Sequence, residues 1–297
     1  DLYQAARLRS SQALGELAQK IDARRGLEDI LLPPASQRQL HEFLGAIRHR
    51  QTVHAGWGFA AKLALSGGVS ALFYGPSGTG KTLAAEVLAR ELGLDLYRID
   101  LSGVVSKYIG ETEKNLGRIF GAAENSNAIL FFDEADALFG KRSEVRDSHD
   151  RYANLEVAYL LQKIETYAGI AILATNLRGN MDVAFARRLD YTVEFPLPDA
   201  GLRQRLWRAM IPAGAPLAQT VDFGWLGRQF ELSGGNIRNA VLSAAFLAAQ
   251  AGGEIDMPRL VVGVARELQK TDRLPTRAAF GEYYDQVLEH NQAGVRR

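Results

Sequence analysis

Eight consecutive residues, Gly75-Pro76-Ser77-Gly78-Thr79-Gly80-Lys81-Thr82, set three glycines, a lysine and a hydroxyl at fixed spacing. Glycines let several backbone N–H groups converge on one anion, a lysine adds a full positive charge, and a hydroxyl beside it can ligate a divalent cation. The run predicts a phosphate cradle in which Gly75, Pro76, Ser77, Gly78, Thr79, Gly80, Lys81, Thr82 and Leu83 hold ATP or ADP. Lys81 would reach the β- and γ-phosphates and Thr82 would bind Mg²⁺. A chance glycine turn would lack the required context, here an apolar run Ala71–Tyr74 before the glycines and a helical pattern Leu83–Leu92 after them.

A second constellation is Ile129-Leu130-Phe131-Phe132-Asp133-Glu134, an apolar strand that delivers two carboxylates to its C-terminal end. Asp133 would hold Mg²⁺ through water. Glu134 would orient and polarise a water for in-line attack on the γ-phosphate. An acidic strand end alone says little; beside a phosphate cradle it predicts hydrolysis of ATP to ADP and phosphate.

Residues with these roles need a sheet that collects them at one edge. Short apolar runs at Ala71–Tyr74, Asp95–Asp100, Ala128–Asp133, Ile170–Thr175 and Thr192–Phe195 alternate with helical patterns. That alternation predicts an α/β fold, a P-loop NTPase with a five-stranded parallel sheet in an αβα sandwich, and ligand groups at the strand C-terminal ends. After Pro196 and Pro198 the strands stop, and Arg203–Met210, Phe223–Gln229, Asn236–Gln250 and Pro258–Lys270 read as a small all-helical lid. Leu2, Leu14, Leu17 and Ile21 suggest a helix from Asp1 to about Arg25; Pro33-Pro34 closes the Ile30–Leu32 segment, and Ser36 caps a helix from about Gln37 to Arg50. The expected boundaries are 1–26 for an N-terminal helix or linker, 27–198 for the large α/β domain, 199–271 for the lid and 272–297 for a C-terminal tail.

Composition narrows the partners. With 35 basic and 34 acidic residues the net charge is +1, so no broad field favours nucleic acid or an anionic membrane. There is no cysteine, which removes disulfides, thiolate metal sites and cysteine nucleophiles, and fits a cytoplasmic setting. The longest apolar runs, such as Ala128 to Phe132, fall far short of the roughly 20 residues of a membrane span, and no charged-then-apolar leader opens the chain. A first residue of Asp1 leaves room for a preceding domain. The five histidines are scattered, so no metal beyond Mg²⁺ is expected.

With both motifs placed, Asp29 to Lys270 resembles the AAA+ ATPases, close to the protein-remodelling AAA motors. The resemblance implies that Asn176, in Ala174-Thr175-Asn176, is the sensor 1 residue standing beside Glu134. Phe185-Ala186-Arg187-Arg188-Leu189-Asp190 is similar to the arginine-finger segment, which reaches a neighbouring subunit's γ-phosphate and so implies a ring, a homo-hexamer. Many relatives separate these two arginines, so either Arg187 or Arg188 fits the finger. Ser233-Gly234-Gly235-Asn236-Ile237-Arg238-Asn239 resembles the sensor 2 helix start, with Arg238 touching phosphate; the core AAA subfamily usually lacks that arginine, so the chain fits either inside that subfamily or beside it.

Ser106-Lys107-Tyr108-Ile109-Gly110-Glu111 looks like the first pore loop of AAA unfoldases, with Tyr108 gripping an extended protein substrate and Lys107 and Ile109 flanking it; Gly110-Glu111-Thr112-Glu113 then opens a capped helix. The charged run Gly140–Arg151 reads as a loop, either a second pore loop or a solvated surface. Tyr283 and Tyr284 are expected to close on the lid or a neighbour. Taken together, these stretches resemble the AAA+ ATPases encoded with extracellular contractile injection systems, which implies a role in assembly, cargo loading or sheath recycling. Two other classes compete: an assembly switch or enzyme-activase-like remodeller, and a nucleic-acid-handling AAA+ protein, which would want a basic channel that the sequence does not display.

Overall fold

The computed structural model describes residues 14–63, 67–104, 110–124, 126–137, 148–176 and 187–295. These fall into two compact units, one drawn from Asp1–Ile30, Pro34–Pro76 and Lys81–Phe195, the other from Leu31–Pro33, Ser77–Gly80 and Pro196–Arg297.

The first unit is built on a sheet of β1 (Gln19–Ile21), β2 (Val69–Tyr74), β3 (Asp95–Asp100), β4 (Ala128–Asp133), β5 (Ile170–Thr175) and β6 (Tyr191–Glu194), in the order β1-β3-β4-β5-β2-β6. Five strands are parallel; β1 pairs antiparallel with β3 through Gln19–Arg98, Lys20–Tyr97 and Ile21–Leu96. The register sets Asp100 beside Asp133 and Tyr74 beside Thr175, which brings the C-terminal ends of β2 to β5 to one edge.

Side chains alternate across the strands, and both sets are buried. Leu72, Tyr97, Ile99, Leu130, Phe132, Ala171 and Leu173 share a core with Leu116, Ile119 and Phe120 of α5 (Glu111–Ala123) and Leu160, Leu161 and Ile164 of α6 (Ser148–Thr166). The intervening residues Phe73, Ile129, Phe131 and Ile172 are equally buried, as are Phe43 of α1 (Pro34–Gln51) and Ala84, Val87 and Leu88 of α3 (Lys81–Leu92). Phe43 meets Phe73 edge-on at 6.1 Å and Phe73 lies 5.1 Å from Phe195. Burial on both faces explains why these strands read as unbroken apolar runs. Short helices α2 (Phe59–Leu63) and α4 (Leu101–Val104) complete the order.

Several expectations are corrected. The sheet has six strands, because residues 19–21 form an edge strand where a helix was expected. Leu14 is fully buried in the same core, so the apolar spacing of Leu14 and Leu17 serves a short turn that feeds β1, and Lys20 pairs with Asp95 at 2.9 Å. Helix α1 starts at Pro34, since a proline at a first helical position loses no hydrogen bond. Helix α5 opens after Gly110, whose φ of 83° turns the chain without a side-chain cap. Helix α6 begins at Ser148, inside the charged run expected to be a loop. Among the remaining residues of the first unit, Lys107, Tyr108 and Ile109 lie outside the described residues.

In the second unit, α7 (Ala200–Ala209), α8 (Phe223–Gln229), α9 (Gly234–Ala251) and α10 (Met257–Gln269) start on Asp199, Asp222, Ser233 and Asp256, whose side chains each accept from a backbone N–H in the first turn. The buried guanidinium of Arg203 ties α7 to α8 by donating to Gly227 O at 2.8 Å and Pro198 O at 2.6 Å. Gly263 lets α10 approach α9 closely, since a β-carbon there would stand 2.4 Å from Ala240 O. The expected tail contains α11 (Arg277–Phe280) and α12 (Tyr284–Val295); Phe280 is buried in this core and Tyr283 packs on Trp225 at 5.4 Å. Among the described residues no helix is long and apolar enough to cross a membrane.

Candidate active site

Strand β2 ends at Tyr74, and Gly75, with φ 147°, turns the chain into the cradle. A β-carbon at Gly75 would lie 2.0 Å from Phe195 O, so both the backbone angle and the close approach require glycine. Gly78 and Gly80 also have positive φ, 75° and 108°. Pro76, Ser77 and Thr79 complete the turn, and Lys81, Thr82 and Leu83 form the first turn of α3. The second unit, which includes Ser77–Gly80, holds Gly78 O by a 2.8 Å bond from Gly235 N.

Lys81 is 8% exposed, and its Nζ donates to Gly75 O at 2.6 Å, Pro76 O at 3.0 Å and Asn176 Oδ1 at 2.9 Å. Burial pulls this ammonium below the usual lysine range, with Asp133 and Asp136 acting against the shift. Asn176 follows the end of β5, on the strand that flanks β2.

Asp133 ends β4, and its Oδ2 accepts from Arg98 Nε at 2.9 Å and from the same guanidinium's NH2 group at 2.8 Å. Its other oxygen accepts from Glu134 N at 3.0 Å. Glu134 is exposed and carries φ 55°, a left-handed angle that costs a side-chain-bearing residue about 1 kcal/mol. The 3₁₀ turn Ala135–Ala137 then places Asp136, which accepts from Thr175 Oγ1 and Asn176 N, both at 3.1 Å, and from Asn176 Nδ2 at 3.3 Å.

Lys81, Asp133, Asp136 and Asn176 are thus drawn together with Glu134 at one sheet edge. Arg98 and Asp136 escaped the sequence-based expectation. Strand periodicity carried a signal for Arg98, which lies two residues before Asp100, the register partner of Asp133, and so on the same face. Asp136 could have been noticed only as a further acid three residues after Asp133.

The expected arginines sit elsewhere. Arg187 and Arg188 lie on the exposed turn before β6; Arg188 pairs with Glu165 at 3.7 Å, and Arg187 forms no ion pair among the described residues. The same turn is anchored by Asp190, which accepts from Ser70 N at 2.8 Å and Ser70 Oγ at 2.7 Å. Arg238 is exposed in the second turn of α9, and among the described residues its hydrogen bond is to Asn239 Oδ1 at 3.4 Å.

Chemically, a buried ammonium, the positive-φ turn at Gly75 and a charge-paired carboxylate fit a magnesium–nucleotide group. The space beside Gly80 is open, since a β-carbon there would meet nothing within 4 Å. The model of the ATPase family associated with various cellular activities (AAA) matches residues 71–197, the segment that holds this edge. Residues 71–197 carry an AAA ATPase domain. An AAA domain hydrolyses ATP to ADP with Mg²⁺, and Asp133 and Thr82 are the residues here with the chemistry to hold the metal.

The chain is similar to an uncharacterized AAA family ATPase of Sinorhizobium fredii, 32% identical over 64% of this chain and 56% of that protein. It is also similar to a 26S proteasome subunit of Saccharomyces cerevisiae, 31% identical over 68% of this chain and 48% of the subunit. An ATP-dependent zinc metalloprotease, FtsH 3 of Sphaerobacter thermophilus, is 36% identical over 62% of this chain and 38% of the protease. The chain thus spans about half the length of the curated relatives it matches.

Proposed function

We propose that the protein is an ATP-driven homo-hexameric ring that grips a polypeptide and remodels, unfolds or disassembles it in the cytoplasm. The observation that carries the hydrolytic half is the joining of Lys81, Asn176, Asp136, Asp133 and Glu134 at one edge of the sheet. When bound, ATP with Mg²⁺ supplies the phosphoryl group to be transferred and the cationic charge that offsets its oxygens. Lys81 adds a buried positive charge held by two cradle carbonyls. Arg98 bonds one oxygen of Asp133 and Glu134 N bonds the other, which together fix the carboxylate's orientation. Glu134, exposed beside it, takes the proton of the attacking water, and Asn176 steadies that water.

The remodelling half is supported by the names of the relatives, a proteasome subunit and an ATP-dependent protease, and by Tyr108 at the pore-loop position. In this scheme Arg187 or Arg188 completes a neighbour's site and Arg238 contacts phosphate in its own subunit. The narrower partner is a contractile-injection particle, with sheath protein as substrate, supported by the sequence resemblance of Val104–Leu116, Ile129–Val145 and Ser233–Ala249.

Two experiments test these parts. Tyr108→Ala should bind ATP normally and lose polypeptide remodelling; full remodelling by this variant refutes the pore role. The Glu134→Gln form, purified with ATP, should retain substrate, and absence of sheath protein from that complex removes the narrower assignment while leaving the remodeller intact.

A further inference from the structure

The side-chain amide of Asn176 sits between two groups of opposite hydrogen-bonding character. On one side is the Lys81 ammonium, which can only donate; on the other is the ionised Asp136 carboxylate, which can only accept. The amide oxygen must therefore face Lys81, at 2.9 Å, and the amide nitrogen must face Asp136, at 3.3 Å. Asp136 also accepts from Asn176 N, so one carboxylate fixes both the backbone and the side chain of this residue. The constraint follows from the chemistry of the two neighbours, whichever way the amide is drawn.

From this we propose that Asp136 is a positioning residue that locks the Asn176 amide with its oxygen toward Lys81, so that Asn176 serves hydrolysis as an acceptor. The proposal rests on Asn176 serving hydrolysis, as set out above. Its consequence is specific: Asn176 accepts from the attacking water or from Lys81, and does not donate to a phosphate oxygen. Without Asp136 the amide would keep only the Lys81 bond and could rotate about it.

A reciprocal exchange tests the lock. Asp136→Asn should lower kcat at least 10-fold with little change in affinity for fluorescent ADP, because an amide at 136 donates as readily as it accepts and no longer directs the Asn176 amide. Asn176→Asp, which sets two carboxylates face to face, should lower kcat further. The double variant Asp136→Asn/Asn176→Asp again pairs a donor with an acceptor and keeps an oxygen toward Lys81. It should exceed the product of the two single effects by at least 10-fold in kcat, a non-additivity expected only of directly coupled residues. Thr175→Val, which removes the other donor to Asp136 among the described residues, should stay near wild type in kcat; a loss equal to that of Asp136→Asn would reduce Asp136 to a brace for the strand end and overturn the proposal. Additive single effects would overturn it as well.

Wild-type kcat in Asn176→Ala would instead sink the prior assignment of Asn176 to hydrolysis. Where a variant does not fold, the wild-type protein supplies the test: the ¹⁵N-labelled side-chain amide of Asn176, held by Asp136, should exchange with solvent at neutral pH far more slowly than a solvent-exposed asparagine amide. Fast exchange at neutral pH rules the lock out.

Discussion

The reacting groups are held by hydrogen bonds within single residues' reach. Glu134 takes a left-handed backbone angle directly after Asp133 and keeps its carboxylate exposed, so its replacement by Gln removes the proposed base and preserves shape. Glu134→Gln should keep ATP affinity and lower kcat by about 10²- to 10⁴-fold, the usual worth of a positioned base, as read from phosphate release and nucleotide binding in parallel. Gly75 gives the opposite signature. A β-carbon 2.0 Å from Phe195 O at φ 147° forces the cradle open, so Gly75→Ala should weaken fluorescent ADP binding at least 10-fold, which an equilibrium titration measures.

At the scale of elements, the second unit contains a polar network in its core. Glu267 of α10 is 5% exposed and accepts from Asn236 Nδ2 at 3.1 Å and Asn239 Nδ2 at 3.2 Å of α9, with Lys270 beside it. Burial pushes its carboxyl up, and the bonds from Lys270, Asn236 and Asn239 outweigh this, leaving the folded pKa below the ordinary value. A depressed folded pKa stabilises the fold above the unfolded value and loses that contribution as pH falls through the folded one. Glu267→Gln should therefore lower the melting temperature at pH 7 and flatten its decline below about pH 4.5, a comparison that thermal melts across acid pH provide.

What the sequence disclosed at this scale follows from burial. Strands Asp95–Asp100, Ala128–Asp133 and Ile170–Thr175 were legible to the residue because both their faces are covered. Strand β1 was not, since three residues at a sheet edge owe their conformation to Leu96–Arg98, far along the chain. The site divides the same way. The glycines, Lys81, Asp133 and Glu134 lie in contiguous motifs. Arg98 and Asp136 gain their roles only when strands 30 or more residues apart are brought side by side.

At the scale of the whole molecule, the central claim is that one copy's Glu134 and a neighbour's Arg187 or Arg188 make up a single working site. A heterologous contact of this kind closes into a ring and leaves every site dependent on two chains. Arg187 and Arg188 lie exposed on the turn that Asp190 clamps to Ser70, a placement suited to reaching another copy from a fixed base. Asp190→Asn should accordingly retain ADP affinity and lose most turnover, checked by the same binding and phosphate-release assays. The most direct measurement mixes two inactive forms, Glu134→Gln and Arg187→Ala/Arg188→Ala, and follows phosphate release. Random assembly of equal amounts regenerates an intact site wherever an arginine-deficient copy abuts a Glu134→Gln copy, about one contact in four in a head-to-tail ring. The account predicts recovery of activity toward about a quarter of wild type, on the assumption that each regenerated site acts alone. A mixture that stays inactive at concentrations where the copies co-assemble would contradict it.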